Sequence, residues 1–191
     1  MGRYLLLFVL IVTGYLNLDA RQSGKEKISR ELATVQAGTT TVYVVRHAEK
    51  DTRNSNDQDP ELTDAGRKRA LALKAYLEDV KVDAFFSTPY KRNQQTITPL
   101  AQGRPIQFYE SHAYTLLRDK ILAEYKGKTV VVVGHSNTVL PIIEAFGAKK
   151  PISEITDSDY DNIFKLTVSP KGKARVEAHK FGAPMAATSR L

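Results

Sequence analysis

Two apolar runs of mostly β-branched residues stand out along the chain, Thr41-Val42-Tyr43-Val44-Val45 and Thr129-Val130-Val131-Val132-Val133. Each ends abruptly in polar residues, Arg46-His47 after the first and Gly134-His135 after the second. Hydrophobicity that is continuous rather than alternating predicts strands covered on both faces, as in a parallel sheet. Residues 82–87 and 106–109 read as two further strands. Thr63 can cap a helix with Asp64 in its first turn, and Gly66, Ala70, Leu73, Leu77 and Val80 then fall on one face. Thr88 and Pro89 form a cap and first-position pair for a helix that carries Lys91, Arg92, Gln95 and Thr96, with Pro99 expected to kink or end it. A helix over about 113–125 aligns Leu117, Ile121 and Tyr125, and a helix after Thr138 turns Val139, Ile142, Ile143 and Phe146 inward. Residues 164–168 and 174–179 predict two closing strands around Ser169-Pro170-Lys171-Gly172.

Strands alternating with helices give an α/β fold, a three-layer α/β/α sandwich with a mostly parallel central sheet. In such open sheets ligands bind beyond the carboxyl ends of the strands. His47 and His135 are therefore expected to share one site. The polar stretch 49–61 is long for a compact domain, which marks it as a functional or mobile loop.

The chain has 191 residues, enough for one core and little more. Residues 1–20 follow the pattern of an export signal, with Arg3 ahead of the apolar run Tyr4-Leu5-Leu6-Leu7-Phe8-Val9-Leu10-Ile11-Val12 and Ala20 as a small residue before a cut. The run falls short of the ~20 residues that cross a bilayer. The expectation is an exported protein, periplasmic or secreted; the alternative is a membrane anchor that stays uncleaved. Residues 21–38 read as a linker, 39–181 as the folded domain and 182–191 as a tail. The chain has no cysteine, which excludes disulfides, thiolate metal sites and a thiol nucleophile. A net charge of +7 favours anionic partners, but no basic patch interleaved with aromatics points to nucleic acid.

Arg46, His47, Arg92 and His135 together suit phosphoryl chemistry. A neutral imidazole attacks phosphorus, and a covalent intermediate splits one displacement into two easier ones. Guanidinium forks bind the anionic oxygens bidentately. The free amides of a helix opened by Ser136, Asn137 and Thr138 would add an anion site, and a protonated His135 a further donor. Such catalysis rests on positioning and charge, with no metal or other cofactor required. Taken singly, each residue has a plainer reading as a packed histidine or a solvated arginine. Their joint placement at strand ends and helix starts carries the argument.

Four blocks resemble, in order, the signatures of the histidine phosphatase superfamily, also called phosphoglycerate mutase-like. They are Arg46-His47-Ala48-Glu49-Lys50, Leu62-Thr63-Asp64-Ala65-Gly66, the run from Ser87 to Thr96 with Arg92 within it, and Val133-Gly134-His135-Ser136-Asn137-Thr138. The resemblance implies a nucleophilic His47 that becomes phosphorylated, and a phosphate pocket of Arg46, Arg92 and His135. It also implies a general acid after the third strand, which falls on Glu110. His112 is a second candidate, and Glu49 and Asp51 are third choices. The expected function is hydrolysis of a phosphomonoester or of protein phosphohistidine, on a small phosphorylated substrate or a phosphoprotein. The alternatives are a catalytically weak module that binds a phosphorylated ligand and, lower, a phosphomutase.

Overall fold

The computed structural model describes residues 38–182, together with Lys25, Lys27, Ser29 and Arg30, which are helical. The expected export signal, the rest of the linker and the tail beyond Gly182 lie outside the described residues. Among the described residues no helix is long and apolar enough to cross a membrane.

The unit from Gly38 onward is built on one six-stranded sheet in the order β3-β2-β4-β1-β5-β6. The strands are β1 (Thr40–Arg46), β2 (Ala84–Ser87), β3 (Ile106–Phe108), β4 (Thr129–Gly134), β5 (Asn162–Val168) and β6 (Ala174–Lys180). The first four pair in parallel; β5 runs antiparallel to β1, and β6 antiparallel to β5. Four helices join them, α1 (Asp64–Tyr76), α2 (Lys91–Ala101), α3 (Tyr114–Glu124) and α4 (Val139–Ala145).

Strand periodicity explains the layers. Val42 and Val44 of β1, with Val130 and Val132 of β4, face the core that holds Leu117 and Ile121 of α3 and Ile142 and Ile143 of α4. The intervening Tyr43, Val45, Val131 and Val133 face the opposite core, with Leu73 of α1 and Ile97 and Leu100 of α2. Every residue from Val130 to Val133 is fully buried, so the continuous apolar runs mark strands covered on both faces. The three-layer α/β/α sandwich is therefore present, and its antiparallel part is confined to β5 and β6.

Two local expectations change. Thr88 and Pro89 do not start α2. Thr88 turns its hydroxyl to His135, the chain bends at Pro89 and Tyr90, and Tyr90 (φ −70°, ψ 138°) is the last non-helical residue. The helix begins at Lys91, whose N–H is accepted at 2.9 Å by Asp59, a cap supplied from the 49–61 loop. Pro99 lies within α2, which runs on to Ala101 and stops at Gln102 in the left-handed region (φ 51°). A proline in the last turn disturbs little of the helical ladder that follows it.

Thr63 caps α1 as expected, accepting the Gly66 N–H at 3.1 Å. The Thr63 N–H and hydroxyl in turn bond the Glu49 carbonyl, which draws the start of α1 onto the chain just after His47. A Cβ on Gly66 would lie 2.3 Å from that carbonyl oxygen. Gly66→Ala should therefore force α1 away from the segment that follows His47 and cost about 1–3 kcal/mol, the usual penalty for overpacking. Chemical denaturation would measure it, and an unchanged midpoint would show that the contact yields without cost.

Candidate active site

The register of the sheet assembles the site. Arg46 pairs with Gly134, Val133 with Ser87, and Ser87 with Phe108, so the four parallel strands end almost level. The residues that follow, His47, His135, Thr88 and Tyr109, leave the sheet side by side. The His47 N–H still bonds the Gly134 carbonyl at 2.9 Å, and the two imidazole rings meet edge to face with centroids 5.4 Å apart. Gly134 is required by close approach rather than by a turn. A Cβ there would lie 2.8 Å from the Thr138 hydroxyl, which accepts the His135 N–H at 2.7 Å.

Helix α2 is keyed to this edge by one residue after another. Asn93 donates to the Val133 and Gly134 carbonyls, Gln95 accepts the Leu62 N–H, and Thr96 accepts the Ala48 N–H at 2.9 Å. These bonds set α2 against β4 and the segment after His47, and Arg92 enters the cavity from the first turn of the helix. Asn93, Gln95 and Thr96 are thus fasteners, and Arg92 just before them lines the cavity.

The cavity measures about 730 Å³ and is lined by Arg46, His47, Arg92 and His135, with Tyr90, Ser111, His112 and Tyr160 among the other walls. Arg46 is 5% exposed and reaches the segment before β5. Its Nη1 donates to the Thr156, Asp157 and Asp159 carbonyls at 2.7, 3.2 and 3.4 Å, and its plane lies over the Tyr160 ring, 4.1 Å from the centroid. Asp159 ties this segment into a turn by accepting both the N–H and the hydroxyl of Thr156. The Arg92 guanidinium lies over Tyr90, and Asp59 is 3.7 Å away. Burial lowers the Arg92 pKa from its ordinary value. On both arginines the Nε atom is buried with no hydrogen-bond acceptor in the protein. A buried, unsatisfied donor on a charged group is costly, and an anion seated between the two would relieve it.

His47 is 4% exposed, and burial, aided by the cations around it, lowers its pKa to about 3. The ring is therefore neutral near pH 7. Its Nδ1 lies 2.8 Å from the Ala48 carbonyl, which can only accept, so Nδ1 carries the proton and Nε2 the free lone pair. That is the state an attacking imidazole needs. His135 is likewise held neutral, with a pKa lowered to about 4 by burial first and then by Arg92. The expected donation from a protonated His135 thus requires an arriving anion to raise its pKa. The Nε2 of His135 lies 3.2 Å from the Thr88 hydroxyl and 3.5 Å from that of Ser111.

Arg46, His47, Arg92 and His135 come together as the sequence predicts; the other expected pieces do not all follow. The Thr138 and Val139 amides close onto the His135 carbonyl, so the start of α4 offers less to an anion than expected. Glu110 is exposed and does not line the cavity. A turn in which the Ala113 N–H bonds the Glu110 carbonyl leaves Glu110 outside, while Ser111 and His112 line the wall. Glu49 is buried in an ion pair with Arg69 at 2.8 Å, and Asp51 pairs with Arg53; neither lines the cavity. Sequence reasoning missed Tyr90, Asp157 and Tyr160. Tyr90 could have been found from its place two residues before Arg92, whereas nothing in 156–160 marks it as part of a site.

The two neutral histidines make stability depend on pH. Once unfolded, each takes up a proton near pH 6.5, but in the folded chain only near pH 3 to 4. Between those values the unfolded state binds more protons, so stability is full above about pH 6.5 and declines as the pH falls. Each histidine should contribute a slope of ~1.4 kcal/mol per pH unit in that window. Unfolding free energy measured from pH 7 to 4.5 should be flatter in His47→Gln than in the wild type. Parallel curves would mean that His47 is protonated in the fold.

A model of the histidine phosphatase superfamily, branch 1, matches residues 42–113. Comparison with curated proteins gives no match. Among solved structures, the protein histidine phosphatase SixA with bound tungstate has a TM-score of 0.60 at 17% identity, covering 75% of this chain and 97% of its own. YhfR of Bacillus stearothermophilus has a TM-score of 0.60 at 19% identity, covering 77% and 100%. The phosphoserine phosphatase of Entamoeba histolytica with 3-phosphoglyceric acid has a TM-score of 0.58 at 14% identity, covering 76% and 98%. At these identities the likeness is one of fold. The matched residues include Arg46, His47 and Arg92, and β4 brings His135 to them. The chain thus resembles the histidine phosphatase superfamily, branch 1, over residues 42–113, and shares its fold with solved phosphatases.

Proposed function

We propose that the chain hydrolyses a phosphomonoester or a protein phosphohistidine through a phosphohistidine formed on His47. The observation that carries this is the neutral His47 ring, its Nε2 lone pair free, in a cavity with two arginines whose buried Nε donors have no protein acceptor. Arg46 and Arg92 hold the phosphoryl oxygens while Nε2 of His47 attacks phosphorus and the leaving group departs. Charge gathers on those oxygens in the transition state, where buried guanidinium groups stabilise it most. The dianion also draws a proton onto His135, which then donates to the same oxygens. Water afterwards displaces phosphate from Nε2. The Ala48 carbonyl keeps His47 in one tautomer throughout.

Both substrate classes stay within the proposal, since structures of like fold include a protein histidine phosphatase and a phosphoserine phosphatase. The exposed Glu110 favours a second reading, a weakly catalytic module that binds a phosphorylated ligand. Export is part of the proposal on the strength of residues 1–20 alone.

An activated aryl phosphate such as p-nitrophenyl phosphate should be hydrolysed in the presence of a chelator. His47→Ala should lower that turnover by roughly 10⁴-fold or more, the order expected when a nucleophile is removed. Inorganic phosphate should raise the melting temperature of His47→Ala, and much less that of Arg46→Ala. Phosphate stabilisation without turnover by the wild type would establish the binding module. Turnover that survives His47→Ala would remove the phosphohistidine mechanism.

A further inference from the structure

We propose that His112, rather than a carboxylate, is the general acid and base of this site, oriented by Tyr114. The inference rests on the phosphatase reading of the same cavity. Of the four candidates that the sequence offers for this role, His112 is the one that lines the cavity; Glu110, Glu49 and Asp51 do not. The chain turns between β3 and α3 so that the Ala113 N–H meets the Glu110 carbonyl, which places Ser111 at 3.5 Å from Nε2 of His135 and His112 beside it on the wall. His112 is near enough to be among the charges that lower the His135 pKa. The ring is not loose. Its Nδ1 is 2.8 Å from the Tyr114 hydroxyl, and the two rings pack edge to face with centroids 5.9 Å apart. Tyr114 belongs to the first turn of α3, so the partner that fixes the imidazole is itself fixed by a helix.

A tyrosine hydroxyl suits this task because it both donates and accepts. When His112 is an imidazolium, Nδ1–H donates to the Tyr114 oxygen and Nε2–H is left to face the ligand. When it is neutral, the same Nδ1–H bond leaves a lone pair on Nε2. One orientation thus serves both proton transfers, and imidazole is the side chain whose ordinary pKa lies nearest neutrality. In the first step the bond from His47 Nε2 to phosphorus forms, the phosphorus–oxygen bond of the ester breaks, and the leaving oxygen takes the proton from His112 Nε2. In the second, His112 Nε2 takes a proton from water as the hydroxide oxygen bonds phosphorus and the His47 bond breaks. Alcohol and phosphate leave, and His112 is again protonated.

Asp157 is the other acidic residue on the cavity wall. Its carboxylate lies 3.6 Å from Nη2 of Arg46, on the guanidinium that binds the phosphoryl group. Its side chain is fully exposed, with no group that fixes it toward a leaving oxygen. His112 has such a group in Tyr114.

The test compares kcat/KM of the full chain on an alkyl phosphate and on 2,4-dinitrophenyl phosphate, for the wild type and for His112→Ala, Tyr114→Phe, Glu110→Gln and Asp157→Asn. A missing acid penalises the poor leaving group. His112→Ala should lower kcat/KM for the alkyl ester by roughly 10²–10⁴-fold and leave the dinitrophenyl ester within about threefold. It should also give a burst of dinitrophenol, since loss of the base slows dephosphorylation. Tyr114→Phe should move the same way by less, because it acts only through the ring it orients. Protection of His112→Ala against heat by inorganic phosphate should match the wild type. Equal losses on both esters, or the selective loss appearing in Glu110→Gln or Asp157→Asn instead, would overturn the assignment to His112. A wild type that turns over neither ester would overturn the phosphatase reading itself and the assignment with it.

Discussion

The site depends first on the parallel pairing of β1 with β4. Six consecutive residue pairs, from Thr41 with Thr129 to Arg46 with Gly134, fix where each strand stops relative to the other. Because side chains alternate, a slip of one residue would turn every valine of one strand to the wrong core. The two cores are both fully packed, so the register has no acceptable neighbour. Catalytic geometry here is a by-product of packing: His47 and His135 meet because eight valine and tyrosine positions can be buried in one way.

The second constraint is electrostatic. Two guanidinium groups and two imidazoles line one cavity, and their mutual repulsion has to be absorbed. Among the described residues, the one carboxylate on the cavity wall, that of Asp157, is fully exposed and lies 3.6 Å from Nη2 of Arg46. Arg46 is held by three carbonyl oxygens and an aromatic face, which soften its charge without cancelling it. Asp59 stands 3.7 Å from Arg92, just outside hydrogen-bonding distance, and spends its short bond on the Lys91 N–H. The histidines respond by giving up their protons. The cavity is thereby kept cationic through its two arginines, a state that a phosphoryl dianion relieves and that neutral compounds cannot.

The parts of this arrangement that were legible in the sequence are those in which one residue type has one reason to be where it is. A β-branched run without polar interruption has to be covered on both faces, so β1 and β4 could be read, and with them the placement of His47 and His135. Arg92 could be read because Ser87 to Thr96 preserves a spacing. The rest was hidden for particular reasons. Thr88 has a hydroxyl that could cap a helix or bond an imidazole, and only the tertiary structure chooses the second. Glu110 stands at the right distance from β3, but a single turn decides which of four consecutive side chains faces inward. The segment 156–160 acts through backbone carbonyls, which every sequence possesses and none advertises.

The grip of Arg46 on that segment has a consequence for how the molecule is made. The arginine and the carbonyls it holds are separated by 110 to 113 positions along the chain, and β1 completes its pairing only with β5, over 162–168. During synthesis His47 emerges early, yet the oxygens that steady the neighbouring Arg46 guanidinium leave the ribosome late. Until then β1 offers an unpaired edge of apolar residues, and the closure entropy of a very long loop has still to be met. The nascent chain therefore exposes His47 well before the segment that completes the walls of its cavity has been made.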